Sequence, residues 1–362
     1  MNDDDRLESY IFPLPSELIA QEPPKERGTS RMLVASRKDT SFIRHAHVYD
    51  LPDLLPKGAL LVANNSKVLP ARLLGRRKTG GAVEFLLLTP LPLLLQSQKK
   101  EGDGFCAHAQ GLMRANSRVK VGDTFTFGDA IHIRVTQAGS FGLRDVVISW
   151  QGDLLHLFEA VGHIPLPPYI KRPDTADDAL RYQTVYADPE RTGSVAAPTA
   201  GLHFTRELKE TLLARGFQWT YVTLYVGQGT FSPVRCDDIR DHTMHTEHIE
   251  IPEESAALIK QAKQESRPII AIGTTTVRTL EGVAKAKGSI VPFSGSTDLF
   301  LHPGSDFAVV DGMLTNFHLP GSSLLMLVSA FAGREHILKL YEQAIGEKYR
   351  FFSYGDCMLL LP

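Results

Sequence analysis

Cysteine is scarce in this chain. Cys106, Cys236 and Cys357 are the only three in 362 residues, and they lie far apart with no C-x-x-C pair. A disulfide framework and a cysteine zinc site are therefore not expected, and a reducing cytoplasmic compartment fits. Charge of one sign is not in excess either. With 39 Lys and Arg against 41 Asp and Glu, the net charge is −2. That argues against bulk coating of nucleic acid and leaves local basic patches open. Long apolar runs are missing: the longest in the C-terminal third, Leu324 to Ala332, is too short to cross a bilayer. The acidic opening Asn2-Asp3-Asp4-Asp5-Arg6 has no apolar stretch of the kind a signal peptide needs. No membrane partner is expected. Two signatures of known chemistry are also absent. There is no H-E-x-x-H, and no G-x-G-x-x-G follows an early strand as it does in a common methyltransferase.

What is present is ordinary in bulk, with 43% hydrophobic and 22% charged residues, as in a soluble globular protein of one large domain or two. Early strands are expected at Arg31 to Ala35 and Leu60 to Ala63. After Pro70 the texture changes to short strand candidates separated by Gly turns: Ala82 to Leu88, Arg118 to Val121, Thr124 to Phe127, Ile131 to Val135 and Asp145 to Ser149. That pattern suggests a small antiparallel barrel. The tract Leu91 to Gly104 reads as a solvated loop. From Gly152 onward helices and strands alternate. The expected fold class is an α/β domain, residues 1–70 and 152–362, with an inserted antiparallel β-barrel domain over residues 71–151.

Five motifs stand at the ends of the α/β elements, where such proteins place ligand sites. Gly193 to Thr205 (GSVAAPTAGLHFT) has no charge except what His203 carries, and its small residues let backbone approach a ligand. It feeds a helix that Thr205 is placed to cap. Leu224 to Val234 follows a central strand, and Gly227 and Gly229 leave room for a flat group. Asp241 to His248 holds His242, His245, Glu247 and His248, an acid/base or RNA-facing cluster that also invites a metal reading. Ile270 to Glu281 joins a strand, a glycine turn, three threonines and a helix start, a seat for a carboxylate or phosphate that Arg278 can reinforce. Leu314 to Met326 sets Asn316 and His318 among apolar neighbours, where polar tips need partners. Each of these also has a purely structural reading. Arg72, Arg76, Arg77 and Lys78 form a basic cluster, and Lys171-Arg172 is a second. Both are suited to phosphates, or simply to a solvated face.

Together, LPSELIAQEPPKERGTSRMLV, NNSKVLPARLLGRRKTGG, GHIPLPPYIKR, RYQTVYA, GSVAAPTAGLHFT, TLYVGQGTF, HTMHTEH, IGTTTVRTLE, TDLFLHPG, LTNFHLPGSSLLMLVSAFAG and YRFFSYGD resemble the S-adenosylmethionine:tRNA ribosyltransferase-isomerase family of queuosine biosynthesis. They keep the family's order across nearly the whole chain, and only the barrel middle and the Leu91 to Gly104 tract match weakly. The resemblance implies an α/β fold with an inserted barrel. It implies S-adenosylmethionine as a ribosyl donor, a co-substrate rather than a cofactor, with no metal. The acceptor is 7-aminomethyl-7-deazaguanine at the wobble position of a tRNA, and the products are epoxyqueuosine-tRNA, adenine and methionine. Partners are then the tRNA anticodon stem-loop and the donor, with the protein acting as a monomer.

On this resemblance His203, His245 and His318 are the acid/base candidates, near-neutral histidines being suited to shuttling protons. Thr199, Thr274, Thr275 and Asn316 contact the donor. Tyr225, Gly227 and Gly229 shape the base pocket. Arg72, Arg77, Lys171 and Arg172 hold the stem-loop. Two departures stand out. Tyr10-Ile11-Phe12 lacks a central Asp found in the family. Asn65-Ser66-Lys67 replaces Asp-Thr-Arg, keeping the hydroxyl and the positive charge but not the carboxylate or the Arg fork. Two other classes of protein remain open on the residues alone: a histidine-metal hydrolase built on His242 to His248, and a non-catalytic RNA-binding protein using the barrel.

Overall fold

The computed structural model describes residues 2–77, 80–227 and 234–362. Two sheets dominate. The larger has nine strands in the order Phe293–Thr297, Glu247–Ile251, Gln218–Leu224, Leu60–Asn64, Ile269–Ile272, Gly312–Asn316, Cys357–Leu361, Arg31–Ser36 and Ile43–His47. Its four central strands, Gln218–Leu224, Leu60–Asn64, Ile269–Ile272 and Gly312–Asn316, run parallel. Leu60–Asn64, Ile269–Ile272 and Gly312–Asn316 are buried at every position, the continuous apolar texture of strands covered on both faces. Helices Glu253–Gln264, Thr274–Lys287 and Ser323–Ala332 pack with this sheet into one large core.

The second sheet closes on itself. Strands Leu143–Trp150, Ile131–Ala138, Thr124–Phe127, Arg72–Arg76, Ala82–Leu87 and Gly104–Ala115 pair antiparallel in that order. Pairing of Leu143–Trp150 with Gly104–Ala115 completes the ring, which leaves no open edge along those strands. Along Ile131–Ala138 burial alternates residue by residue through Val135, the period-two pattern of one face turned to the core. Phe85, Phe127, Ile131 and Ile148 are wholly buried inside. Gly162–His163 adds to the barrel at Arg72–Leu73. The expected α/β fold with an antiparallel barrel is what the structure holds.

Two details differ from expectation. The Leu91 to Gly104 tract is not all loop: Pro90 precedes a helix Leu91–Gln96 that buries Leu91 and Leu94 against the barrel core, and Lys99–Glu101 pairs at the barrel edge. Arg118 to Val121 forms no strand; only Val119 is buried there.

Candidate active site

The parallel strands end together, and their following turns meet. After Ile272, Gly273 takes a φ of 85° and the helix Thr274–Lys287 starts at once. A residue with a Cβ is strained at that φ, so glycine makes the abrupt turn from strand to helix possible. After Leu224 the chain passes Tyr225, Val226 and Gly227. Beside these lies the Gly193 to Thr205 segment, whose Thr199–His203 stretch is a tight 3₁₀ turn. Thr205 then caps the helix Arg206–Ala214 by accepting from the Leu208 N–H, as expected.

A cavity opens where these pieces converge. Thr199, Thr274, Thr275, Thr315, Asn316, His318 and Ser353 supply its polar lining, with Val226, Leu324 and Phe352 among the apolar walls. Five of these polar residues were expected at a site from the sequence. Its interior is about 40 Å³, room for a water or two rather than a nucleoside, so a ligand of that size requires the walls to part. The Thr275 hydroxyl and the Asn316 Oδ1 are buried with no hydrogen-bond partner. Unpaired buried groups of this kind are costly and are commonly left for a ligand.

His203 does not line this cavity; it is buried behind Asn316, one of the lining residues. Its Nδ1 lies 3.0 Å from the Ser30 Oγ and its Nε2 lies 3.2 Å from Asn316 Nδ2. Asn316 Nδ2 also donates to the Phe352 carbonyl at 3.0 Å. That second contact sets the amide's orientation, because the flipped amide would turn its oxygen on a carbonyl oxygen. His203 Nε2 is therefore the acceptor, and Nδ1–H donates to Ser30. Burial, with the nearby Arg350 charge second, lowers the His203 pKa to about 4. Burial likewise lowers His318 to about 3, and its Nε2 lies 3.0 Å from the Thr315 hydroxyl. Both rings are neutral at pH 7, below the near-neutral range that proton shuttling was expected to use.

The remaining expected residues fall elsewhere. His245 is exposed and does not line the cavity; its charge helps lower His242, after burial. Tyr225 is buried, its ring 5.9 Å from that of His248. Gly227 N–H donates to Glu247 Oε1 at 2.8 Å. Gly229 lies outside the described residues, as does Lys78. Arg278 does not face the cavity: it forms a buried ion pair with Glu247 and donates to the Leu299 carbonyl. Among the described residues no group of three or more His, Cys, Asp or Glu is arranged to hold a metal ion.

Arg72, Lys171 and Arg172 share a groove of about 600 Å³ between the barrel and the Pro165 to Asp174 segment. Arg72 pairs with Glu84 at 2.9 Å. Arg172 holds Asp178 in a two-pronged pair, 2.7 Å on each side. Lys171 is exposed with no ion pair among the described residues. Arg77 stands apart from the groove, tied to Asp123 and to the Ser117 and Arg118 carbonyls.

Sequence reasoning missed a lock beneath the cavity. The Ser194 hydroxyl donates to Ser66 Oγ (2.8 Å) and accepts from the Val226 N–H (3.0 Å), joining three turns that are distant in sequence. It also missed Ser30 and Phe352. Phe352 has a φ of 75°, an outlier for a bulky residue and a marker of a constrained site. Its aromatic neighbours in RFFSYG gave no sign of that.

Known proteins resemble this chain from end to end. Residues 7–360 match the family described as queuosine biosynthesis protein. The S-adenosylmethionine:tRNA ribosyltransferase-isomerase of Nitratidesulfovibrio vulgaris is 59% identical over 360 residues, 98% of this chain and 97% of that protein. Its namesake from Oleidesulfovibrio alaskensis is 56% identical over 99% of this chain and 94% of its own length. The crystal structure of S-adenosylmethionine tRNA ribosyltransferase from Thermotoga maritima matches with a TM-score of 0.54 at 32% identity, covering 98% of this chain and all of that one. The chain belongs to the queuosine biosynthesis family of S-adenosylmethionine:tRNA ribosyltransferase-isomerases. Within this family, the Asn65-Ser66-Lys67 departure has a local account. Asn65 Oδ1 accepts from the Thr223 hydroxyl at 2.7 Å, a bond an Asp carboxylate can accept equally, and Ser66 supplies the hydroxyl that Ser194 needs.

Proposed function

We propose that this enzyme transfers and isomerises the ribosyl moiety of S-adenosylmethionine onto 7-aminomethyl-7-deazaguanine at the wobble position of a tRNA, releasing adenine and methionine and leaving epoxyqueuosine-tRNA. The observation that carries the reading is the convergence of Thr199, Thr274, Thr275, Asn316 and His318 on one cavity at the strand ends, with His203 held behind Asn316. Unpaired Thr275 Oγ1 and Asn316 Oδ1 offer hydrogen bonds to the donor, and Tyr225 and Gly227 shape the base pocket.

The donor's sulfonium acidifies the adjoining carbon, so a positioned neutral base can take its proton without a metal. Neutral His203 is in the form that accepts a proton, and its Nε2 becomes free once substrate takes over the Asn316 amide. His318 and His245 serve the later proton transfers, His245 from the outer face. The groove holding Arg72, Lys171 and Arg172, with Arg77 at the barrel tip, receives the anticodon stem-loop. Residues 71–151 act as the inserted domain that carries one side of this groove. The enzyme works as a cytoplasmic monomer with no resident cofactor. No helix among the described residues is long and apolar enough to cross a membrane.

The deciding assay is release of adenine from S-adenosylmethionine in the presence of tRNA bearing 7-aminomethyl-7-deazaguanine, against tRNA bearing guanine. Release only with the modified tRNA is expected. Equal or absent release with both overturns the reading, and near-normal turnover in both His203→Ala and His245→Ala overturns their assignment.

A further inference from the structure

His203 has a second side. Opposite the hydroxyl-lined cavity, a crevice is bounded by Pro23, Pro24, Arg27, Ser30, Arg181 and Tyr354. Two guanidiniums, Arg27 and Arg181, line it, and that of Arg350 lies behind the Tyr354 wall; all three are held by backbone carbonyls. Arg27 donates to the carbonyls of Gln183 (2.8 Å) and Arg181 (3.2 Å). Arg181 donates to that of Pro24 (2.5 Å) and Arg350 to that of Tyr354 (2.6 Å). Among the described residues none of the three forms an ion pair. Their charges act on one another and on the histidine: Arg27 is lowered by burial and then by Arg181, and His203 by burial and then by Arg350. The acids around the crevice are Glu22 and Glu26, which are exposed, buried Asp178, which is held by Arg172 and accepts from the Tyr354 hydroxyl, and Asp356, which accepts from the Arg31 and Arg350 backbone N–H groups and feels the Arg350 charge. Carbonyl anchoring fixes the positions of the guanidiniums without neutralising them, leaving donors and a positive field in place.

We propose that this crevice is an oxyanion site, in which Arg181, backed by Arg27 and Arg350, takes an anionic group of a bound substrate on the far side of His203 from the donor cavity. The proposal rests on the reading of His203 as part of the active site. The interior is only about 20 Å³, so the oxyanion sits at the mouth. Arg181 is half-exposed there and can exchange its carbonyl contacts for a two-pronged oxyanion contact. Ser30 adds a donor, because its Oγ accepts from His203 and its own O–H has no acceptor among the described residues. Two substrate groups share this chemistry, a phosphodiester of the RNA and the carboxylate of the S-adenosylmethionine methionine chain.

The test is steady-state kinetics on full-length Arg181→Gln and Arg350→Gln, with Arg181→Lys as the conservative variant and thermal melts as the folding control. Arg181→Gln is expected to raise KM for one substrate by roughly 5–50-fold, with Arg181→Lys recovering part of it. If the RNA is the source, KM for RNA rises and the slope of log KM against log salt falls by about 0.7–0.9, one phosphate contact. If the donor is the source, KM for S-adenosylmethionine rises and the RNA salt slope stays. Unchanged KM for both substrates in well-folded Arg181→Gln and Arg350→Gln overturns the proposal. Wild-type protein that releases no adenine indicts the proposed function instead. In that case the melting shift produced by inorganic phosphate, present in wild type and reduced in Arg181→Gln, decides the crevice by itself.

Discussion

Asn316 holds His203 in one tautomer: its Nδ2 lies 3.2 Å from His203 Nε2 while bonding the Phe352 carbonyl at 3.0 Å. Replacing the amide by a carboxylate tests that relationship. In Asn316→Asp an anion faces His203 Nε2, which favours the imidazolium, and an oxygen faces the Phe352 carbonyl. The His203 pKa is expected to climb from about 4 by at least one unit, visible in the pH dependence of its ring NMR signals. Stability is expected to fall by about 1–3 kcal/mol from the lost donor. An unmoved His203 titration contradicts the assigned amide orientation.

The two buried histidines also set the response of the fold to acid. Their folded pKa values, about 4 for His203 and about 3 for His318, lie below the ordinary 6.5. Between those values the unfolded chain binds protons that the native state refuses. Stability is therefore full above pH 6.5 and falls as pH drops, by about 1.4 kcal/mol per unit for each ring. His242 and His336, lowered mainly by burial, add the same sign. Urea midpoints at pH 7.5 and 5.5 are expected to show the loss, with a shallower slope in His318→Gln. Equal midpoints at both pH values contradict this account.

Much of the site was legible because its signals are local. Gly273 followed by three threonines marks a strand-to-helix turn on its own, and Asn316 and His318 announce themselves as polar tips in an apolar run. What stayed hidden depends on pairing across the chain. Ser30 meets His203 across 173 residues, and Ser194 meets Ser66 across 128; serines carry no pattern that names a partner. The Leu91–Gln96 helix was read as loop because six residues are too few for a helical period to show. The low pKa of His203 follows from burial, which a segment of glycine, alanine and threonine does not advertise.

Glu281 anchors the helix whose first turn carries Thr274 and Thr275. Its carboxylate is buried and accepts from three backbone N–H groups, those of Ala308, Val309 and Val310, at 2.8–3.0 Å. In Glu281→Gln one oxygen becomes an NH₂ that must face a donor. Loss of a charge-assisted bond plus an unsatisfied N–H is expected to cost about 2–4 kcal/mol in urea melts. A variant within about 0.5 kcal/mol of wild type contradicts the carboxylate's role.

Asn65 gives the opposite expectation. Its Oδ1 accepts from the Thr223 hydroxyl, and its backbone N–H donates to the Val222 carbonyl at 3.0 Å. Asn65→Asp introduces the acid that the sequence resemblance leads one to expect there and keeps the acceptor. Stability is expected to stay within about 1 kcal/mol and adenine release within a few-fold. A tenfold change in turnover reveals a need for the carboxylate that the hydrogen bonding does not show.

Gly201 offers the sharpest steric test of the 3₁₀ turn that presents both Thr199 and His203. A Cβ built on Gly201 lies 2.2 Å from the Tyr186 hydroxyl oxygen and 2.7 Å from Thr184 Cγ2. Thr184 is buried and the Tyr186 ring is packed edge-on to Phe204 and Trp219, so neither has room to retreat. The turn itself must move, and His203 moves with it away from Asn316. Gly201→Ala is expected to lose about 1–3 kcal/mol by overpacking and to slow adenine release more than tenfold. Gly346→Ala is the matched control: it ends the helix Arg334–Gly346, and its Cβ meets nothing within 4 Å. It is expected to be neutral or stabilising by up to about 1 kcal/mol, with normal turnover. If Gly201→Ala keeps wild-type adenine release, the position of His203 in this turn is not what the reaction depends on.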